Sequence, residues 1–340
     1  MLKVVIFRPH LGIPFKKSPP MPNNEDNLPP IRQHWKDFFD NLIFYFKNLA
    51  AGEYDVTVVD GPLWMMNKEV LEQLKPDIAF IPHKNKAQYG YEGYGLYAMQ
   101  SVFPWLFTIN DMGWGKQSSE YPFSPEHGDP ESPAFDQLRE RALNNLSKFD
   151  QPAGIDIDLP DSYALFPCQL PHDETIKYNS PVSVEHSLYA ACEWSKRNNI
   201  PLIVKGHPAN PKSMSPLQQI TSLYPGNVIW TWNSSIHELI AKSDGVLTIN
   251  SGVGFESLLH RKPVINFGWA EYDCITTYST LDDLDRAWEE KYFNEIKTRQ
   301  FCDAFVNYYC VDANAIDSFK NIEDKWLGNE ILSQKINLKS

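Results

Sequence analysis

The chain has no long apolar run: no stretch reaches the ~18 consecutive apolar residues that a membrane-crossing helix needs. Its opening, "MLKVVIFRPHLGIPFKK", carries an apolar segment too short for a secretory signal with a small-residue cleavage site, and reads as a first β-strand. Cysteine is scarce and scattered. The five residues Cys168, Cys192, Cys274, Cys302 and Cys310 include no C-x-x-C pair, which argues against a disulfide framework and points to reduced core thiols in a cytoplasmic protein. His, Cys and carboxylate groups nowhere take metal-ligand spacing, so no metal is expected. Positive charge is also in deficit. With 31 Lys and Arg against 43 Asp and Glu, the net charge is -12, the wrong sign for a nucleic-acid surface. A basic amphipathic helix is missing too, which leaves contact with the inner membrane, if any, peripheral. Low-complexity tracts and internal repeats are absent.

The 340 residues, 42% of them hydrophobic, suit two folded domains of ~150 residues each. Strand-like runs recur in the first half at 3–8, 54–61, 77–83 and 104–111, with a helix-spaced segment, "IRQHWKDFFDNLIFYFKNLAAG", between the first two. From 163 onward strands and helices alternate almost without interruption: strands at 163–169, 201–207, 227–232, 245–251 and 263–268, with a helical pattern in each interval. This rhythm predicts a parallel sheet wrapped by right-handed crossovers. The Pro-, Asp- and Ser-rich segment 116–160, around one helical stretch, reads as a linker between domains. After 275 the pattern is mainly helical.

In open α/β sheets ligands bind beyond the carboxyl ends of the strands, so polar residues at those ends carry the functional signal. There are four such ends. In "NSGVGFES" (250–257), Asn250, Ser251, Gly252 and Gly254 form a strand-to-helix turn whose N–H groups and helix dipole favour an anion such as phosphate, and Glu256 could accept from sugar hydroxyls. A Gly-rich turn is often only a tight turn, and this one matches neither G-x-G-x-x-G nor a P-loop. In "KGHP" (205–208), Lys205 and His207 stand where a phosphate leaving group could be stabilised, although a strand-end His is more often structural. In "CQLPHDET" (168–175), Asp173 follows Gln169; a carboxylate here suits a nucleophile or base in a sugar cleft and, equally, a helix N-cap. The fourth end is "NDMGWG" (110–115). Upstream, "YGYEGYGLYAMQ" (89–100) offers aromatic rings for a sugar, or a Tyr- and Gly-rich surface loop.

As an ordered set, "NDMG", "QLPHDET", "KGHP" and "SGVGFESLLHRKPV" resemble the bacterial retaining β-Kdo glycosyltransferases of capsule and O-antigen biosynthesis, which use CMP-Kdo. That family carries an acidic-acidic-Gly motif, then Q-x-x-x-D-x-[ST], K-P-H-P, and a Ser-x-x-Gly-φ-Glu-Ala-Leu helix start before Gly-Lys-Pro-Val. The resemblance implies an α/β GT-B fold: two Rossmann-like domains with parallel sheets facing a cleft, and C-terminal helices. It implies a CMP-sugar donor, an oligosaccharide or lipid-linked saccharide acceptor, and no cofactor. By the same resemblance Asp173 is the nucleophile of a covalent adduct, His207 and Lys205 face the CMP phosphate, Ser251 starts the phosphate-binding helix, and Glu256 lies near the ribose. Gln169, Asn250, Gly252 and Gly254 complete the donor set. This sequence departs from the pattern at Gly206, where the family has Pro, and at "NDMG", where Asn110 takes the first acidic place and Met112 is inserted. Asp111 is the first choice for the acceptor-activating base, with Glu92 and Glu120 behind it; Glu92, Tyr94 and Glu120 form the acceptor-facing set. The expected division is 1–155 for acceptor, 156–315 for donor, and a helical tail 316–340 free to pack back on the first domain. Rival readings are an inverting sialyltransferase-like enzyme, a polyol-phosphate transferase, and a catalytically dead GT-B scaffold.

Overall fold

Residues 4–7 form an uninterrupted apolar run at the middle of strand β1 (Leu2–Pro9), where both of its faces are covered. Val4 and Ile6 enter one core with Phe38, Phe39, Leu42 and Phe107; Val5 and Phe7 enter another with Leu71, Ile81 and Tyr97. Residues 1–12, 25–26, 28–50 and 52–328 of the computed structural model are described. Positions 13–17 of the opening stretch and 329–340 of the expected tail lie outside them. The remaining strands are β2 (Tyr54–Gly61), β3 (Ile78–Pro82), β4 (Gly95–Gln100), β5 (Leu106–Asn110), β6 (Ala164–Pro167), β7 (Leu202–Lys205), β8 (Val228–Thr231), β9 (Gly245–Thr248), β10 (Val264–Asn266), β11 (Thr277–Tyr278) and β12 (Cys310–Asp312).

The strands form two six-stranded sheets in two compact units, an α/β architecture of the GT-B type with two Rossmann-like halves. The first unit comprises Met1–Glu120 and the segment from Val306 on; the second is Tyr121–Phe305. The expected divisions after 155 and 315 therefore differ from the contact-defined ones. The helix Ala134–Leu143 and the supposed linker from Tyr121 onward belong to the second unit, where Arg299 grips Asp136 with two hydrogen bonds of 2.9 and 3.0 Å.

In the first sheet the order is β12-β5-β4-β3-β1-β2, with β4–β5 and β5–β12 antiparallel and the other pairs parallel. Two of these strands were not expected. "GLYAMQ", inside the stretch read as a Tyr- and Gly-rich loop, is β4; the helical reading after 275 missed β12. Tyr94 belongs to the core, its hydroxyl donating to the Trp326 carbonyl at 2.9 Å. Phe319, Ile322, Trp326 and Leu327 join that same core.

The second sheet is parallel throughout, in the order β11-β10-β9-β6-β7-β8. This is the doubly wound arrangement in which the first strand of the unit lies at the centre. Helix Val184–Asn198 covers one face, pressing Leu188, Ala191, Cys192 and Trp194 onto Phe166, Val204 and Leu247. A buried side chain as large as Leu188 or Phe166 stabilises by roughly 1.5–3 kcal/mol. All five cysteines are free, and no helix among the described residues is long and apolar enough to cross a membrane.

Candidate active site

In the second unit β6 and β9 are neighbours although β7 and β8 lie between them in sequence. The chain leaves β6 toward one edge of the sheet and β9 toward the other, and a parallel sheet opens a ligand crevice at that switch, beyond the carboxyl ends. Gln169 follows β6 and Asn250 follows β9. Gln169 Nε2 donates to Asn250 Oδ1 at 2.8 Å, and the Asn250 N–H returns a bond to Gln169 Oε1 at 3.2 Å. Asn250 Nδ2 reaches the carbonyls of Thr175 and Asn179 at 3.1 and 2.9 Å. Both amides, expected to hold the donor, thus use their hydrogen bonds on the protein and fix helix Glu174–Asn179 against the strand ends.

Asp173 is the N-cap of that helix. Its Oδ1 accepts from the Thr175 N–H at 2.8 Å and from Thr175 Oγ1 at 2.9 Å. The cap reading and the site reading coexist, because both bonds fall on Oδ1, and the carboxylate stays partly exposed with its charge acting on His207. His207 Nδ1 accepts from the Ala209 N–H at 3.2 Å, which leaves the ring proton on Nε2, and Phe149 meets the ring edge-on at 5.2 Å. Burial pushes the imidazole down to about 4, against the pull of Asp173 and with Lys205 adding to the fall. At neutral pH His207 is therefore an uncharged hydrogen-bond donor.

Lys205, 5% exposed, is turned inward: Nζ donates to the carbonyls of Trp232 at 2.8 Å and Gly206 at 3.3 Å. It braces the loop that carries His207 and does not reach into the crevice as expected. Gly206 has ordinary backbone angles, so its requirement is space. A Cβ there would lie 2.5 Å from Trp232 Cε3 and 2.9 Å from Trp230 Cζ2, and these two indoles pack edge-to-face at 5.1 Å. The tryptophans fill the place that a Pro ring would need.

Ser251 caps helix Gly252–Leu259 through Oγ, which accepts from the Val253 N–H at 3.2 Å. Gly254 is small for a neighbour's sake: the Tyr272 hydroxyl donates to the Ser251 carbonyl, and a Cβ on Gly254 would lie 2.7 Å from Tyr272 Cζ. Glu256 departs from its expected place near a ribose. It is 4% exposed, accepts from Ser147 Oγ at 2.5 Å, and lies 4.0 Å from His237 Nε2. Nearly the whole of this helix is buried, so Glu256 faces protein. Burial raises its carboxyl to about 7, with the Ser147 bond opposing.

The expected set omitted the strap 145–151, whose residues 145–149 continue the stretch that reads as helical in sequence, although the helix ends at Leu143. Asn145 Oδ1 accepts from Ser235 Oγ at 2.6 Å, Ser147 bonds Glu256, Phe149 packs on His207, and Gln151 Oε1 accepts from the Ile236 N–H at 3.3 Å. Lys148, in the middle of the strap, lies in the field of Asp173 and Glu271. Its only trace in the sequence is a Lys beside a Phe.

In the first unit Asn110 organises the "NDMG" loop. Its Oδ1 accepts from the N–H groups of Met112, Gly113 and Ser119 at 2.9, 3.3 and 2.9 Å, while Nδ2 donates to Ser119 Oγ at 3.1 Å and Glu120 Oε2 at 3.4 Å. Asp111 accepts from Ser119 Oγ at 2.6 Å. Glu120 is engaged by Lys325 at 2.5 Å and its carboxyl is raised by burial. Glu92 is exposed, whereas the burial of Tyr94 removes it from the acceptor-facing set.

Residues 147–315 match the family model described as "Capsule polysaccharide biosynthesis protein". No curated protein matches the chain. Among solved structures, the Thermosulfurimonas dismutans KpsC β-Kdo 2,7 transferase is similar at 16% identity over 99% of this chain and 100% of that one, with a TM-score of 0.49. The β-Kdo 2,4 transferase of the same organism's KpsC gives 15% identity over 82% and 89%, with a TM-score of 0.49. A Methanocaldococcus jannaschii UDP-GlcNAc 2-epimerase gives 11% over 88% and 98%, with a TM-score of 0.37.

Proposed function

We propose that this chain, whose residues 147–315 belong to the capsule polysaccharide biosynthesis family, is a glycosyltransferase that moves Kdo from CMP-Kdo to a surface-polysaccharide or lipid-linked saccharide acceptor with retention. The observation that carries the reading is the grouping of Asp173 and His207 at the switch point of the second sheet, on the motifs that resemble the β-Kdo transferases. Asp173 attacks the anomeric carbon through Oδ2 while its two hydrogen bonds hold Oδ1. The bond from that carbon to the phosphate oxygen breaks, and the electron pair leaves with CMP. His207 Nε2–H and the start of helix Gly252–Leu259 meet the charge that develops on the phosphate. An acceptor hydroxyl then displaces Asp173 from the opposite face and gives its proton to a base, for which Asp111 is the candidate; two inversions give net retention. No cofactor or metal takes part. Any membrane contact is peripheral, through the acceptor.

Two measurements test this. Calorimetric and thermal-shift titration should favour CMP over UMP, GDP and ADP, since a ligand that binds the native state stabilises it by mass action. Incubation with CMP-Kdo in the absence of acceptor, followed by peptide mapping, should find a Kdo ester on Asp173 that is missing from Asp173→Asn. Turnover by Asp173→Asn at the wild-type rate would remove the adduct. Tight binding of a different nucleotide would remove the donor.

A further inference from the structure

The helix Ala134–Leu143 stops where Asn145 turns left-handed, with φ 60°, a conformation that Asn tolerates better than most residues. The Asn145 N–H donates to the Ala142 carbonyl at 3.1 Å and the Leu146 N–H to the Arg141 carbonyl at 3.0 Å, so the last turn is closed. Side chains then shut the strap into a loop. Asn145 Nδ2 donates to the Pro152 carbonyl at 3.1 Å, while its Oδ1 accepts from Ser235 Oγ. Gln151 uses both ends of its amide: Nε2 donates to the Phe149 carbonyl at 3.0 Å, and Oε1 takes the Ile236 N–H at 3.3 Å. With Ser147 bonded to Glu256, the loop is anchored on helices Ile236–Lys242 and Gly252–Leu259. These bonds hold Phe149, whose ring meets that of His207 at 5.2 Å with the planes 75° apart.

We propose that Phe149 is a positioning residue for His207, presented to it by the closed loop 145–152. The inference rests on the phosphate role given to His207 above and deepens it. A neutral imidazole has two tautomers and a ring that can rotate about its bond to Cβ. The Ala209 N–H on Nδ1 selects the tautomer and leaves the proton on Nε2. That one bond lets the ring pivot about it; an aromatic ring packed edge-to-face resists the pivot and covers the imidazole from water. Burial is the largest influence on the charge of His207, with Asp173 favouring the imidazolium and Lys205 opposing it, so apolar cover helps to keep the ring neutral. A donor already held in one orientation needs no reorganisation as charge develops on the phosphate.

The test follows the His207 ring nitrogens by NMR in the ligand-free protein, and single-turnover release of CMP from CMP-Kdo, on the wild type, Phe149→Ala, Phe149→Tyr and Gln151→Ala. The wild type should show the Nε2–H tautomer alone. Phe149→Ala should bring the second tautomer into view and raise the titration midpoint of His207 toward the ~6.5 of an unperturbed imidazole. Its maximal rate should fall about 2- to 12-fold, the factor that an edge-to-face pair is worth, with the half-saturating concentration changed less than about twofold. Phe149→Tyr should restore spectrum and rate. Gln151→Ala keeps the ring but loosens its anchor, and should move both readouts the same way by less. A folded Phe149→Ala protein with the wild-type tautomer and midpoint would overturn the proposal, even if its melting temperature fell. Should Phe149→Ala fail to fold, unchanged His207 resonances in Gln151→Ala would overturn it. The spectra need no donor, so a wild type that releases no CMP would overturn the donor reading and leave the positioning of His207 to be decided by NMR.

Discussion

Replacing Gly206 by Ala isolates the space that this chain keeps where related motifs carry Pro. The backbone there has no positive φ, so Ala alone would normally stabilise by about 0.4–1 kcal/mol through the unfolded state. Against that, the new methyl meets Trp232 Cε3 at 2.5 Å and Trp230 Cζ2 at 2.9 Å. The Trp232 carbonyl is also bonded to Lys205 Nζ at 2.8 Å, and the Gly206 N–H to the Thr231 carbonyl at 3.0 Å, so neither side can withdraw without breaking a bond. Overpacking of this kind costs about 1–3 kcal/mol, and the net expectation is a loss of about 1–2 kcal/mol. For a unit of this size that lowers Tm by about 2–8 °C. Scanning calorimetry of Gly206→Ala, Trp232→Ala and the double variant measures it. Trp232→Ala opens the space, so the double variant should be more stable than additivity predicts by about 1 kcal/mol or more. A Gly206→Ala protein as stable as the wild type, or strict additivity in the cycle, would refute the packing account of the missing Pro.

Two further outcomes follow from the buried polar groups. His207, His237 and His260 are each pushed by burial to about 4, below the ~6.5 of an unfolded chain. The unfolded state therefore binds more protons between these values, and the stability present above pH 6.5 is lost as pH falls toward 4; Glu256, raised to about 7, acts in the opposite sense and regains stability over the same fall. Together they predict about 3 kcal/mol less stability at pH 5 than at pH 7 as an upper bound, read from urea midpoints, and a flat or rising profile would show these imidazoles to be protonated in the fold. Asn110→Asp replaces the Nδ2 donor to Glu120 by a second carboxylate and should cost about 1–3 kcal/mol at pH 7, with partial recovery near pH 4.5 as the pair takes up a proton; equal stability at pH 7 would remove Asn110 as the organiser of this loop.

Five of the six strands of the second sheet were legible because each is a short apolar run followed by a turn signal, the mark of a parallel strand in the sheet interior, whereas β11, two residues of Thr and Tyr, fell in the stretch read as helical. β4 was not, since its residues follow a cluster of Tyr and Gly that reads as loop; Gly95 is there because a Cβ would lie 3.0 Å from Ile81 Cδ1 on the neighbouring strand. β12 is three residues long and gains its order from pairing with β5, a contact that no local pattern announces. The strap 145–151 was not legible, its first five residues reading as a continuation of the preceding helix, because its role rests on single hydrogen bonds to distant elements, Ser147 to Glu256 and Asn145 to Ser235.

Spacing also located the polar strand ends without saying which way each side chain turns. Gln169, Asn250, Lys205 and Glu256 all lie at the expected ends, yet each uses its hydrogen bonds on protein groups. Their burial is the reason: a polar group taken out of water must be bonded at once, and the nearest partners are backbone carbonyls and one another. This changes the electrostatics of any anionic donor at the crevice. With Lys205 committed and His207 neutral, the KGHP loop offers hydrogen-bond donors but no exposed cation, and Asp173 and Glu271 add negative charge. Any anion held at this crevice then depends on the positive end of helix Gly252–Leu259 for a favourable field.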